Sequence, residues 1–158
     1  MNSSTEGRVA ELIENWDFVF PNDANPYGSM FGGKLLAIMD TTAAIAAIRF
    51  SGKTVSTAAV EAVEFVHPLV VGDRIKTIAK VVYVGRTSMM VRVDVYQDQG
   101  HTFKQCTHAH FAMVAFDENR KPTPVPSLIC ETQEDEKAFQ LAESIREQAV
   151  ARAKKAKG

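Results

Sequence analysis

A chain of 158 residues is one domain's worth, long enough to bury about 68–70% of the surface of its unfolded form. It carries 18 basic and 19 acidic residues, a net charge of −1, so no global field recruits nucleic acid or an anionic membrane; an anionic ligand needs a local site. Two cysteines, Cys106 and Cys130, cannot build a disulfide framework, and Met1 to Glu14 has neither a basic nor an apolar leader segment, so a reducing cytoplasmic compartment is expected.

Ala10, Leu12, Trp16, Phe18 and Phe20 fall on one side of an alternating pattern and predict a first strand that ends at Pro21; a helical turn near Thr5 also fits. From Pro21 to Met30 the chain crowds together Pro, Asn, Asp and Gly, which supply fixed φ, side-chain turns and positive φ, and it reads as a loop. Phe31 to Phe50 is apolar on nearly every side, which predicts a helix enclosed by protein. Its apolar stretch from Leu35 to Ile48 is broken by Asp40, Thr41 and Thr42 and falls short of the ~20 residues of a membrane span. Ala43, Ala44, Ala46 and Ala47 allow another backbone close, and Gly52 ends the helix.

Beyond Gly52 the period becomes two. Val55 to Phe65, Arg74 to Val84, Thr87 to Gln97 and Thr102 to Phe116 are predicted strands; Met89, Val91, Val93 and Val95 oppose Ser88, Arg92 and Asp94 in the clearest alternation. Four strands in succession, joined by short turns, predict an antiparallel meander. Lys121 to Pro126 contains three prolines and cannot be sheet interior, so it reads as an extended linker. Glu131 to Lys157 is a predicted helix, acidic at its start and basic at its end as the macrodipole favours, with Leu141, Ala142, Ile145 and Ala149 as a docking stripe. The class is α+β. One sheet covers only one side of the apolar helix, so dimerisation through the helix and a sheet edge is expected.

The chemistry concentrates between Asn22 and Asp40. Asn25 offers an amide side chain. Gly32 and Gly33 open the helix with N–H groups that can polarise a carbonyl oxygen, although a glycine pair also serves close packing. Asp40 has Leu36, Ala37, Ala43 and Ala44 as helical neighbours, none basic; a carboxylate there is costly unless hydrogen-bonded or functional, the bland alternative being a wet helix edge. Eight residues separate Gly32 from Asp40, about 12 Å along a helix axis, too far for both to act on one carbonyl. Two such helices running antiparallel across a two-fold axis close that distance, which predicts an isologous dimer with a site shared by both chains.

The run DANPYGSMFGGKLLAIMD, followed by VSTAAVEAVEFVHPLVVGDRI, VGRTSMMVRVDVY and KPTPVP, resembles the acyl-coenzyme A thioesterases of the hotdog-fold superfamily, nearest the cytosolic acyl-CoA hydrolases, over Val19 to Pro126. The resemblance implies a long central helix wrapped by an antiparallel β-sheet, with residues 1–126 as the hotdog domain and residues 127–158 as a linker and C-terminal helix. It implies hydrolysis of acyl-CoA thioesters to free fatty acid and coenzyme A, with Asn25, Asp40 and Gly32 catalytic. Gly33, Arg86, Thr87 and Ser88 would bind the CoA or acyl part; physically, Arg86 offers a charged fork for phosphate. Phe31 stands where the family often has His. The implied catalytic unit is a homodimer, with a trimer of dimers favoured; coenzyme A is part of the substrate, and no other cofactor, metal, nucleic acid or membrane partner is expected. Asp40 could act as general base or as nucleophile.

A non-hydrolytic acyl-CoA sensor and a hotdog dehydratase are the competing readings; the dehydratase wants a His paired with the acid, and none lies in the helix or the loop before it. Met30, Phe31 and Met39 are expected to line the acyl tunnel. Cys106, His108 and His110 alternate along one strand and so share a face, but a flat strand lacks the turn that gathers metal ligands. His67, before Pro68, reads as a loop residue.

Overall fold

The computed structural model describes residues 6–157, so the turn considered near Thr5 lies outside the described residues. Its elements are β1 (Ile13–Phe18), a short 3₁₀ turn (Pro21–Asp23), α1 (Gly32–Ser51), β2 (Thr54–Phe65), β3 (Arg74–Val84), β4 (Ser88–Asp98), β5 (Phe103–Phe116) and α2 (Gln133–Lys157).

α1 lies across the inner face of the sheet. Leu35, Met39, Ala43, Ala46 and Phe50 recur at helical spacing and bury against Ile75, Ala79, Val81, Val91, Val93 and Phe111. The alanines let the helix backbone approach closely, and the helix stops at Gly52, whose φ of +68° suits the left-handed cap; its N–H donates to the Ile48 carbonyl at 2.7 Å. The other side is uncovered in the single chain, with Ile45 and Ile48 each 44% exposed. The predicted all-round apolarity is thus half used by the chain's own sheet.

The sheet is antiparallel, in the order β1-β3-β4-β5-β2. β3, β4 and β5 form the expected meander, but β2 is not its first strand: it pairs with β5 on the far edge. The reason lies in the link from Val66 to Asp73, too long for a tight hairpin. It is held beneath the start of α1, where the Met30 N–H donates to the Leu69 carbonyl at 2.7 Å and Ser29 bridges to Val70. β1 takes the place beside β3. Its strand begins at Ile13 rather than Ala10, and its aromatic stripe faces outward, Trp16 meeting Phe103 edge to face at 5.9 Å between centroids.

β5 contains a bulge. Val95 pairs with Thr107 and Tyr96 with Gln105, leaving Cys106 unmatched. Phe103 and Gln105 point to the outer face, meeting Tyr96 and Asp94, whereas Ala109, Phe111 and Met113 point inward. Cys106 consequently packs in the main core and does not share a face with His108 and His110, contrary to simple alternation.

α2 crosses the outer face. Thr132 Oγ1 accepts from the Asp135 N–H at 3.1 Å, while Asp135 Oδ2 accepts from the N–H groups of Glu131 and Thr132. Ala138, Ala142 and Ile145 meet Val82, Met90 and Ala112, and Phe139 packs on Tyr83 at 4.9 Å between centroids. Leu141, expected in the stripe, is 49% exposed: it stands one residue, about 100° of helix, away from Ala142, and Phe139 contributes instead. Lys80 holds Asp135 at 3.0 Å and Arg152 holds Glu61, fixing α2 to β3 and to the edge strand β2.

Two consequences are measurable. Ala142 is fully buried between α2 and the sheet, so Ala142→Leu overpacks that seam and should lower unfolding stability by about 1–3 kcal/mol in urea titration; an unchanged midpoint would mean that α2 does not dock. His110 is 2% exposed opposite Arg92 and Glu61, and burial, then the nearby Arg92 charge, pushes its pKa down to about 4. An unfolded His titrates near ~6.5, so on acidification the unfolded chain gains a proton that the folded chain refuses. Stability should fall between those two pH values, and His110→Leu should flatten that part of the pH profile.

Candidate active site

The loop before α1 is built by its own side chains. Asp23 accepts from the Phe20 N–H through Oδ2 and from the Phe31 N–H through its carbonyl, closing the loop at its base. Asn25 Oδ1 accepts from the N–H groups of Tyr27 at 2.9 Å and Ser29 at 3.1 Å, and Gly28 at φ +85° completes the turn. The Asn25 carbonyl oxygen is therefore committed to the loop, while its side-chain NH₂ has no partner among the described residues. That leaves two donors for a ligand.

Phe31 caps α1, its carbonyl accepting from Lys34 and Leu35. The N–H groups of Gly32 and Gly33 precede any intrahelical acceptor and sit at the positive end of the helix dipole. The two glycines differ. A Cβ on Gly33 would come within 2.6 Å of the Phe31 ring, so Gly33 lets that ring fold over the helix start. At Gly32 the nearest atom is Phe65 Cζ at 3.6 Å, and Gly32 lines a pocket of about 330 Å³ with Met30, Leu35, Phe65, His67, Leu69 and Thr107. Of the three expected tunnel residues only Met30 is there. Met39 is sealed in the core, and Phe31 is 61% exposed above Gly33. His67 is a loop residue, as its sequence suggests, but it faces this pocket.

Asp40 is neither orphaned nor merely wet. Thr57 Oγ1, from the edge strand β2, donates to Asp40 Oδ1 at 2.5 Å and also lies 3.4 Å from Met113 Sδ. One carboxylate oxygen is thereby fixed, leaving the other for chemistry. The sequence reading missed Thr57, because no periodicity relates a helix residue to the following strand; the only signal was a hydroxyl on the strand that returns along that helix.

The predicted residues fall into three places. Asn25, Gly32 and Gly33 adjoin at the start of α1. Asp40 and Thr57 sit about 12 Å further along it. The turn with Arg86, Thr87 and Ser88 lies at the end of β3 opposite that helix start, about 34 Å away along an 11-residue strand. There the exposed Arg86 guanidinium has no partner among the described residues while the Arg86 carbonyl accepts from the Val125 N–H at 3.0 Å, Ser88 Oγ accepts from Arg146 at 2.8 Å, and the Thr87 carbonyl accepts from the Ala115 N–H. Among the described residues no group of His, Cys, Asp or Glu is arranged to hold a metal, and no helix is long and apolar enough to cross a membrane.

Comparison with known proteins agrees with this geometry. The model of the thioesterase superfamily matches residues 27–104. An uncharacterized acyl-CoA thioester hydrolase of Bacillus subtilis is 35% identical over 119 residues, 74% of this chain and 69% of that protein. The acyl-CoA hydrolase of Staphylococcus aureus, solved with butyryl coenzyme A and coenzyme A, superposes with a TM-score of 0.88 at 32% identity, covering 92% of this chain and 90% of that one. A hexameric acyl-CoA thioesterase superposes equally well, TM-score 0.88, at 33% identity over 94% of this chain and 97% of that one. The S. aureus enzyme has also been solved with an Asn, an Asp and a Thr each replaced by Ala, at successive spacings of fifteen and seventeen residues. Asn25, Asp40 and Thr57 have those same spacings. With its wrapped helix, its five-stranded sheet and these relatives, the chain belongs to the thioesterase superfamily, among the acyl-CoA thioester hydrolases of the hotdog fold.

Proposed function

We propose that this protein hydrolyses acyl-CoA thioesters at a site shared by two copies of the chain. The observation that carries the reading is the Asp40 carboxylate, fixed through one oxygen by Thr57 on a helix whose open N-terminus lies about 12 Å away. Antiparallel helices across a two-fold axis bring one chain's Gly32 toward the partner's Asp40. The same rotation reverses the sheet, so the partner's Arg86 turn comes to the end at which this chain's Gly32 stands. A single chain holds these groups at opposite ends; the pair gathers them around one extended CoA ester. The half-exposed Ile45 and Ile48, the edge strand β2 that pairs only with β5 among the described residues, and the hexameric relative support such an assembly, with a trimer of dimers as its larger form.

In this arrangement the Gly32 N–H polarises the thioester carbonyl. The unfixed oxygen of Asp40 takes a proton from water as its oxygen attacks the carbonyl carbon, and the Asn25 NH₂ orients that water or the tetrahedral intermediate. Collapse breaks the C–S bond; the thiolate leaves as coenzyme A with the proton Asp40 returns. Arg86, with Thr87 and Ser88 beside it, meets the nucleotide phosphates.

Asp40→Asn should fold, assemble and bind CoA, yet lose about 10²–10⁴-fold in kcat by thiol-release assay; near-normal turnover would end the reading. Single turnover in oxygen-18 water should leave Asp40 unlabelled, whereas label in its carboxylate would make it the nucleophile. Thr57→Val keeps the shape of the strand but frees the carboxylate, and kcat should drop roughly 10- to 100-fold with KM little changed.

A further inference from the structure

We propose that the pocket beneath Gly32 selects acyl groups carrying a hydroxyl near the thioester, so that hydroxyacyl-CoA esters are the preferred class. This rests on Gly32 as the donor to the thioester carbonyl, and it is carried by Thr107. Thr107 is 1% exposed and lines the pocket, yet its hydroxyl has no hydrogen-bond partner among the described residues. The buried hydroxyls on α1 behave differently: Thr42 donates to the Ile38 carbonyl at 2.8 Å and Ser51 to the Ala47 carbonyl at 2.8 Å. Packing does not call for a hydroxyl at Thr107 either. Val has the same shape and a high strand propensity, and it fills the neighbouring inner positions Val91, Val93 and Val95.

A hydroxyl with no protein partner that opens only into a cavity is paired by whatever fills the cavity. The apolar walls, Met30, Leu35, Phe65 and Leu69, offer no side-chain hydrogen bond, and the other two polar residues that line the pocket, Ser29 in the loop before α1 and His67 in the loop after β2, are less buried than Thr107. Depth follows from the sheet. Phe65 Cζ lies 3.6 Å from the Cβ position of Gly32, and Thr107 is the cross-strand partner of Phe65, so the two side chains leave the sheet about 5 Å apart. The Thr107 hydroxyl therefore stands only a few bonds from a carbonyl held at Gly32, which suits an oxygen at the third carbon of the acyl group. A largely apolar pocket with the buried Thr107 hydroxyl in its wall accepts a plain acyl chain but leaves that hydroxyl without a partner, and this is the source of the discrimination.

The test compares kcat/KM of the full chain for butyryl-CoA with that for each enantiomer of 3-hydroxybutyryl-CoA. The wild type should favour the better enantiomer by about 2- to 10-fold, the range of one net hydrogen bond. Thr107→Val should bring that ratio to about one, and Thr107→Ser should keep it; Thr107→Ala serves as a second hydroxyl-free variant should the valine protein not fold. A wild type that prefers butyryl-CoA, or a ratio that survives loss of the hydroxyl, overturns the proposal while leaving thioester hydrolysis intact. Failure to cleave any of the esters would instead strike at the thioesterase reading itself.

Discussion

A straight helix is a rigid ruler, and in this molecule the ruler is α1. Its alanine-rich face seats it on the sheet, its N-terminal amides have no internal acceptor, and its carboxylate is set eight residues away. None of those three properties can be adjusted without the others, because rise per residue is fixed by the backbone and the seating is fixed by the small side chains. The proposed need for a second copy grows from this constraint rather than from a general stickiness of the surface. The loop that presents Asn25 and the strand that presents Thr57 are both anchored to the same rod, one before its start and one returning along its flank.

Much of this was legible in the chain. Arg74–Val84 has the bounds that periodicity predicts, and Gly52 marks the end of α1 as expected. What alternation could not reveal was order: strand pairing is a long-range choice, and β2 lies beside β5 because its exit is held under the helix start by Met30 and Leu69. In the site, Asn25, Gly32 and Asp40 announced themselves by residue type and local spacing. Thr57 and Thr107 did not, since each owes its position to a tertiary contact with no fixed sequence separation. Gly33, expected to contact substrate, has a further obligation that its sequence did not announce, which is to make room for the Phe31 ring.

The two faces of the sheet divide the work. The inner face is the floor for α1 and is almost wholly apolar, whereas the outer face holds the ionisable side chains Arg92, Asp94, His108 and His110 beside the edge acids Glu61 and Glu64. α2 spans part of that outer face, and its ion pairs at either end reach both β3 and β2. The edge strand thus serves two masters: through Thr57 it orients the carboxylate on one side, and through Glu61 it is braced by the C-terminal helix on the other.

The extra residue in β5 works as a phase inverter. Before Cys106 the odd-numbered positions look outward, as Phe103 and Gln105 do; after it they look inward, as Ala109, Phe111 and Met113 do. One strand can in this way lend aromatic surface to the outer face at one end and core at the other, with Thr107 the first residue on the new phase. A strand of the same sequence without the bulge would keep its odd-numbered positions outward and turn Thr107 away from the pocket. The length of a β-strand, counted to the residue, is here as much a determinant of chemistry as the identity of any side chain on it.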